Sequence, residues 1–189
     1  MVGSILLVLL LLIVVVVVVL GLWFMVTYNG LVSLRQAVKN AWAQIDVQLK
    51  RRHDLIPNLV NTVKGYAAHE KETFERVVNA RAKATSVTLP AEVMKAEGEL
   101  TAALSRLLAV SEAYPELKAN QNFIALQEEL TSTENRVAFA RQFYNDNVTK
   151  LSTRVQSFPA VLVAGMLGFK EEPFFEAPAE EKAAPHVQF

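Results

Sequence analysis

Three histidines are the first place to look for chemistry in this chain, and they stand far apart, at His53, His69 and His186. His69-Glu70 opens like the H-E-x-x-H helix of zinc hydrolases, in which two imidazoles one turn apart share a metal and the Glu acts as base. The position of the second imidazole is Thr73, so the pair is incomplete. A di-iron helix would carry Glu three residues ahead of its His on an inward face, and that position is Tyr66. The chain has no cysteine, which excludes thiolate metal centres, disulfides, a thiol nucleophile and lipidation at Cys. It has no P-loop, dinucleotide fingerprint or G-x-S-x-G elbow. No catalytic residue, metal or cofactor is therefore expected, and the chain reads as a non-enzyme. Basic and acidic residues balance at 19 each, so nothing marks a nucleic-acid surface.

The remaining polar candidates are charges on or beside apolar stripes: Asp46, Glu134 and Arg141. They fit two readings. In one they form a buried ionic layer that fixes helix register. In the other, Asp46 pairs with Lys50 one turn on at a solvated face, while Thr133 and Ala140 occupy the seam in place of Glu134 and Arg141. Tyr66, Phe74 and Phe123 are expected in the core.

The element that must position everything else is N-terminal. No charged side chain precedes Arg35, and residues 5–26 are almost entirely Val, Leu and Ile. At ~1.5 Å per residue that stretch crosses a ~30 Å hydrocarbon layer. Residues 1–28 are thus expected to be a single transmembrane anchor. A cleaved secretory signal would have a basic start, a shorter apolar run and a small-residue cleavage site, features that Met1–Ser4 and the GLWFMVTY run do not supply. Trp23 and Tyr28 fall at headgroup level. Arg35, Lys39, Lys50, Arg51 and Arg52 follow on the C-terminal side only, which predicts an outward N-terminus and a cytoplasmic domain in a bacterial cytoplasmic membrane.

Residues 29–157 predict an antiparallel up-and-down four-helix bundle, and the whole chain an all-α protein. Leu31, Leu34, Val38, Ala41, Ile45 and Leu49 give one buried stripe, for a helix over 31–52 that is either separate from the anchor or continuous with it. Asp54 before Pro57 reads as the start of a second helix over 54–85. Its stripe is Ile56, Leu59, Val63, Tyr66, Glu70, Phe74, Val77 and Arg81. Leu89-Pro90 opens a third over 89–113, with its seam at Val93, Leu100, Leu104, Leu107 and Ser111. The fourth spans 116–157, either unbroken or interrupted near Thr131, where Thr131–Glu134 resembles a capping box.

Counting directions brings the end of the fourth helix back to the membrane, where FPAVLVAGMLGF over 158–169 carries no charge. Twelve residues are too few to span. Phe158, Leu162, Met166 and Phe169 are the expected contacts with membrane or a second copy, against the plainer reading that the segment caps the bundle. Residues 170–189, rich in Glu, Pro and Ala, read as a disordered tail.

At this level of detail the chain resembles the LemA family of bacterial membrane proteins. The resemblance rests on YNGLVSLRQAVKNAWAQIDVQLKRRHDLIPNLVNTVKGYAAHE from Tyr28, YPELKAN from Tyr114, TENRVAFARQFYND from Thr133 and FPAVLVAGMLGF before Pro173-Phe174-Phe175-Glu176. It implies a single-pass anchor followed by an up-and-down bundle, and brings no catalytic residue or cofactor. A related branch is associated with membrane invagination in magnetosome formation, which implies by analogy a role in shaping membrane. The expected partners are the lipid bilayer and further copies of the chain, in a self-associating scaffold. The alternative is a membrane-tethered adaptor in envelope signalling or quality control, offering a coiled-coil face to another, unidentified protein.

Overall fold

A computed structural model describes residues 2–175. Six helices follow in order: α1 (Val2–Lys64), α2 (Lys71–Ser86), α3 (Pro90–Ser111), α4 (Pro115–Lys118), α5 (Gln121–Gln156) and α6 (Ala160–Leu167). None of the described residues is in a strand. The chain forms two compact units. Of the described residues, one comprises 2–40 and 146–172, the other 41–145 and 173–175.

α1 departs most from expectation. It runs 63 residues without a break, continuous from the apolar stretch to Lys64, with Pro57 inside it. The expected boundary at residues 52–54 does not exist. An internal Pro lacks the N–H that would bond the carbonyl four residues back, here that of His53. The Arg81 Nε–H of α2 donates to that carbonyl at 2.7 Å. The acceptor orphaned by Pro57 is thus satisfied from another helix, so the local signal for a new helix at Asp54 does not interrupt α1. The helix ends instead at Gly65-Tyr66, and the second helix begins at Lys71, not residue 54.

The expected helix over 116–157 is also divided. α4 is a single turn opened by Pro115, and Asn120 caps α5 by accepting from the backbone N–H of Asn122 (2.9 Å) and Phe123 (3.1 Å). Near Thr131 there is no break. The Thr131 hydroxyl donates to the Gln127 carbonyl and the Thr133 hydroxyl to that of Glu129, both inside a continuous helix.

In the second unit four long helices supply one core: Ile56, Leu59 and Val63 of α1, Phe74 and Val77 of α2, Leu100, Leu104 and Leu107 of α3, and Phe123 and Leu130 of α5. Leu117 of α4 plugs it and is fully buried. In the first unit a smaller cluster joins Leu31 of α1 to Val163, Ala164 and Phe169, with Trp23, Val32 and Val155 packed around it.

Candidate functional site

The most unusual chemistry in the second unit is a set of charges inside its core. Arg52 and Glu97 are 2 % and 1 % exposed, and His53 is nearly as covered. Arg52 Nη1 donates to Glu97 Oε2 at 3.0 Å, and the His53 Nε2–H donates to Glu97 Oε1 at 2.6 Å. Arg52 Nη2 reaches both the Thr101 hydroxyl (2.9 Å) and Glu134 Oε2 (2.9 Å). Each oxygen of Glu97 therefore has a donor, as a buried carboxylate requires. An imidazole beside a carboxylate can hold a metal or move a proton. Here the guanidinium occupies the same carboxylate and repels a cation, and burial keeps substrate away from both groups. The arrangement is suited to fixing how α1, α3 and α5 register against one another.

Of the three charges singled out in the sequence, only Glu134 joins this cluster. Asp46 lies on an exposed face of α1, where neighbouring chain shields it enough from water to raise its carboxyl above the ordinary value. Arg141 lies with its guanidinium 4.7 Å above the Phe175 ring. The three do not form one layer, because their positions on α1 and α5 address different neighbours.

Phe175 also corrects the expected tail. Its ring is buried beside Trp42, at 6.0 Å between centroids, and Trp42 meets Tyr144 edge-on at 5.4 Å. The Asn145 amide accepts from the Phe175 N–H (2.8 Å) and donates to its carbonyl (2.9 Å), while the Tyr144 hydroxyl donates to the Pro173 carbonyl (2.9 Å). Residues 173–175 are thereby held by both backbone and ring, although the composition around them suggests disorder. The remainder of the expected tail, 176–189, lies outside the described residues.

On the outside of this unit α1 and α5 border an open groove lined by Ala43, Gln44, Val47, Gln48, Arg136, Phe139, Ala140 and Phe143. Phe139 is 72 % exposed and Val47 64 %. Large apolar side chains grouped in this way are uncommon on a surface that meets only water.

The first unit presents apolar surface on two scales. α1 is the one described helix long and apolar enough to cross a membrane, and no part of its most apolar stretch is covered by the rest of the protein. A core helix of a soluble fold would be covered. Of the expected interfacial residues, Tyr28, Arg35 and Lys39 are exposed, while Trp23 is partly covered by the cluster around Leu31. Gly168 ends α6 with φ +70°, a left-handed conformation that favours glycine, and the Phe169 N–H closes on the Ala164 carbonyl at 3.0 Å. That turn delivers the Phe169 ring to Tyr28 (6.2 Å, edge-on) and beneath the Arg35 guanidinium (4.8 Å). Phe169 is consequently buried and is not a contact residue, whereas Phe158, Leu162 and Met166 face outward. After α6, Glu171 accepts from Gln156 Nε2 (2.8 Å) and the Ser152 hydroxyl (2.9 Å), which holds its carboxyl below the ordinary range.

The model of the LemA family matches residues 41–189. The chain belongs to the LemA family. Among curated relatives of this LemA-family chain is magnetosome protein MamQ 2 of Paramagnetospirillum magneticum, 24 % identical over 178 residues, which cover 80 % of this chain and 65 % of that protein. Magnetosome protein MamQ of Magnetospirillum gryphiswaldense is also 24 % identical, over 182 residues, covering 82 % of this chain and 67 % of the relative. Protein LemA of Metamycoplasma hominis is 24 % identical over 158 residues, 82 % of this chain and 71 % of the relative. The chain thus spans about two thirds of the length of the MamQ proteins it matches.

The cluster that sequence reasoning missed left a trace in the LemA-family chain. The seam of α3 runs 93, 100, 104, 107, 111, and the one position absent from its regular alternation of threes and fours is 97, occupied by Glu. On α1 the stripe 45, 49, 56, 59, 63 lacks only 52, occupied by Arg. A charged residue at the one vacant seam position on each of two helices of the same bundle is the signature of a buried ion pair.

Proposed function

We propose that this protein is a non-enzymatic, membrane-tethered scaffold that self-associates through the groove between α1 and α5 and organises the membrane holding it. The observation that carries the reading is the exposed pair Val47 and Phe139 beside the small residues Ala43 and Ala140. One surface then offers both a projecting ring and a shallow floor to receive one. A twofold contact needs the same patch on both copies to be self-complementary, and a knob beside its own hole meets that condition. Charge agrees, since Arg136 lines the groove and exposed Asp46 precedes Val47, so a twofold can bring opposite charges together. Tethering confines copies to a plane and raises their effective concentration, so a modest contact suffices.

The apolar start of α1 and the relatives support a membrane location. In the finer reading the membrane is the bacterial cytoplasmic membrane with the helical domain on its cytoplasmic side, following the basic residues Arg35, Lys39, Lys50 and Arg51 after the span. Names given to the MamQ relatives associate them with magnetosomes, and for this chain that is a lead toward membrane organisation.

Disulfide cross-linking tests the contact on a chain that has no cysteine of its own. Full-length protein carrying Val47→Cys or Phe139→Cys in native membranes should form self-adducts under mild oxidation, and Phe139→Glu combined with Val47→Cys should lose them. Adducts only with a foreign protein would overturn the scaffold in favour of an adaptor, and no adducts would remove self-association. Modification of the same cysteines by an impermeant reagent in intact cells would reverse the orientation.

A further inference from the structure

α6 is apolar on the face that should meet water. Its inward residues Ala160, Val163 and Ala164 are buried, as expected of a short helix resting on α1. The opposite side carries Phe158, Leu162 and Met166 at 82 %, 57 % and 78 % exposure, with Val161 and Leu167 also exposed. Between Ser157 and Lys170 there is no charged residue at all. A surface helix of a soluble protein carries polar residues on its outer side, and one that is apolar all round belongs in a core or in lipid.

Its place along α1 decides between these. The cluster beneath α6 contains Leu31, with Trp23 and Val32 packed against it, and Phe169 meets Tyr28 and Arg35. α6 therefore lies alongside the stretch of α1 in which the uncharged span gives way to its first cation. If ~20 residues from Val2 cross the hydrocarbon, that stretch sits at the boundary between acyl chains and headgroups. Eight residues make ~12 Å of helix, far too short to cross. The charges of this unit lie outside α6: Arg35, Lys39, Lys150, Arg154 and Lys170 against Asp146, Glu171 and Glu172. The excess is cationic, which suits anionic headgroups.

We propose that α6 is a second membrane-seated element, an interfacial foot that sinks Phe158, Leu162 and Met166 into the acyl chains of one leaflet while the cations around it meet anionic phospholipid. The partner is the lipid surface itself. This deepens the membrane-organising reading and rests on its anchor, not on self-association. A span crosses both leaflets, but a foot of this kind enlarges one leaflet alone, which gives the protein a direct means of bending the sheet it occupies.

The test uses full-length protein in vesicles of phosphatidylcholine with phosphatidylglycerol. A polarity-sensitive fluorophore is placed singly through Phe158→Cys, Leu162→Cys or Met166→Cys, with Ile13→Cys in the span and Lys83→Cys in the other unit as references. Circular dichroism verifies the fold of each variant. Labels at 158, 162 and 166 should be quenched several-fold more than the label at 83 by lipids carrying a shallow spin label, and shielded from aqueous iodide. The label at 13 should respond most to a deep spin label. Iodide quenching at 158, 162 and 166 with lipid quenching retained at 13 would overturn the foot and leave the anchor standing. Shielding of those labels from both quenchers would mean that protein covers α6, and would also overturn it. Loss of lipid quenching at 13 would remove the anchor and the foot together.

Discussion

The region around α6 and the region around Arg52 reverse the usual placement of polar and apolar groups in opposite senses. At α6 large apolar side chains point outward. At Arg52, His53 and Glu97 charged and titratable groups point inward. The two inversions have different physics. Exposed Phe158 and Met166 are favourable only where the surroundings are lipid or protein, so they carry information about the environment of the chain. Buried Arg52 and Glu97 compensate one another inside the fold, so they carry information about which helix faces meet. The first inversion is about where the protein resides, the second about how it is assembled.

The sharpest way to break this comparison is to remove one partner of the buried set. Glu97→Ala leaves the His53 Nε2–H without its acceptor and Arg52 with only the half-exposed Glu134 and the Thr101 hydroxyl, and the expected loss is about 2–3 kcal/mol, the cost of unsatisfied buried polar groups with part of the charge still compensated. Denaturant unfolding of the full-length protein in detergent micelles, followed by circular dichroism, measures it. Replacing the set together, as Arg52→Met, His53→Leu and Glu97→Leu, should recover most of that stability, because a packed apolar layer is about as stable as a buried ion pair. If Glu97→Ala melted like the parent, the inward charges would have no role in assembly.

A second contrast lies within the apolar segment itself. Phe169→Ala empties a site packed by Tyr28, Arg35 and the cluster around Leu31, and should cost about 3 kcal/mol on the scale of buried aromatic truncations. Phe158→Ala, at a side chain almost wholly exposed, should stay within about 0.5 kcal/mol. The same detergent unfolding measures both. Equal losses would mean that both rings serve the core, and that α6 has no free outward face.

Much of this was legible in the sequence. The uncharged run before Arg35 is the apolar start of α1, the one described helix long and apolar enough to cross a membrane, and the stripes Leu100–Leu104–Leu107 and Ile56–Leu59–Val63 are core faces that the structure retains. The buried charges were hidden because a search for apolar periodicity skips a charged residue even where it completes the period, as Arg52 and Glu97 do. In the run over 158–169 apolarity was plain but direction was not, since a helix apolar on both sides has no periodicity to say which residues turn inward. Pairing of Asn145 with the backbone of Phe175 left no local signal either, because its two halves lie 30 residues apart.

The expected start of a second helix at Asp54 failed for a reason that can be tested by itself. Proline rules are local: they count a missing donor and a clash within one helix, and by them Pro57 belongs in the first turn of a new helix, not inside a long one. The structure answers with Arg81, whose Nε–H reaches the carbonyl that Pro57 leaves bare. Arg81→Ala should therefore destabilise by about 1–3 kcal/mol, the cost of an unsatisfied buried acceptor. Pro57→Ala restores an in-helix donor to the same carbonyl, so in that background Arg81→Ala should cost clearly less, and a double-mutant cycle in denaturant should return a coupling above about 0.5 kcal/mol. Additive losses would mean that the carbonyl finds its donor elsewhere. A positive coupling would show that one residue on α2, 24 positions after the proline, is what allows α1 to continue as a single helix to Lys64.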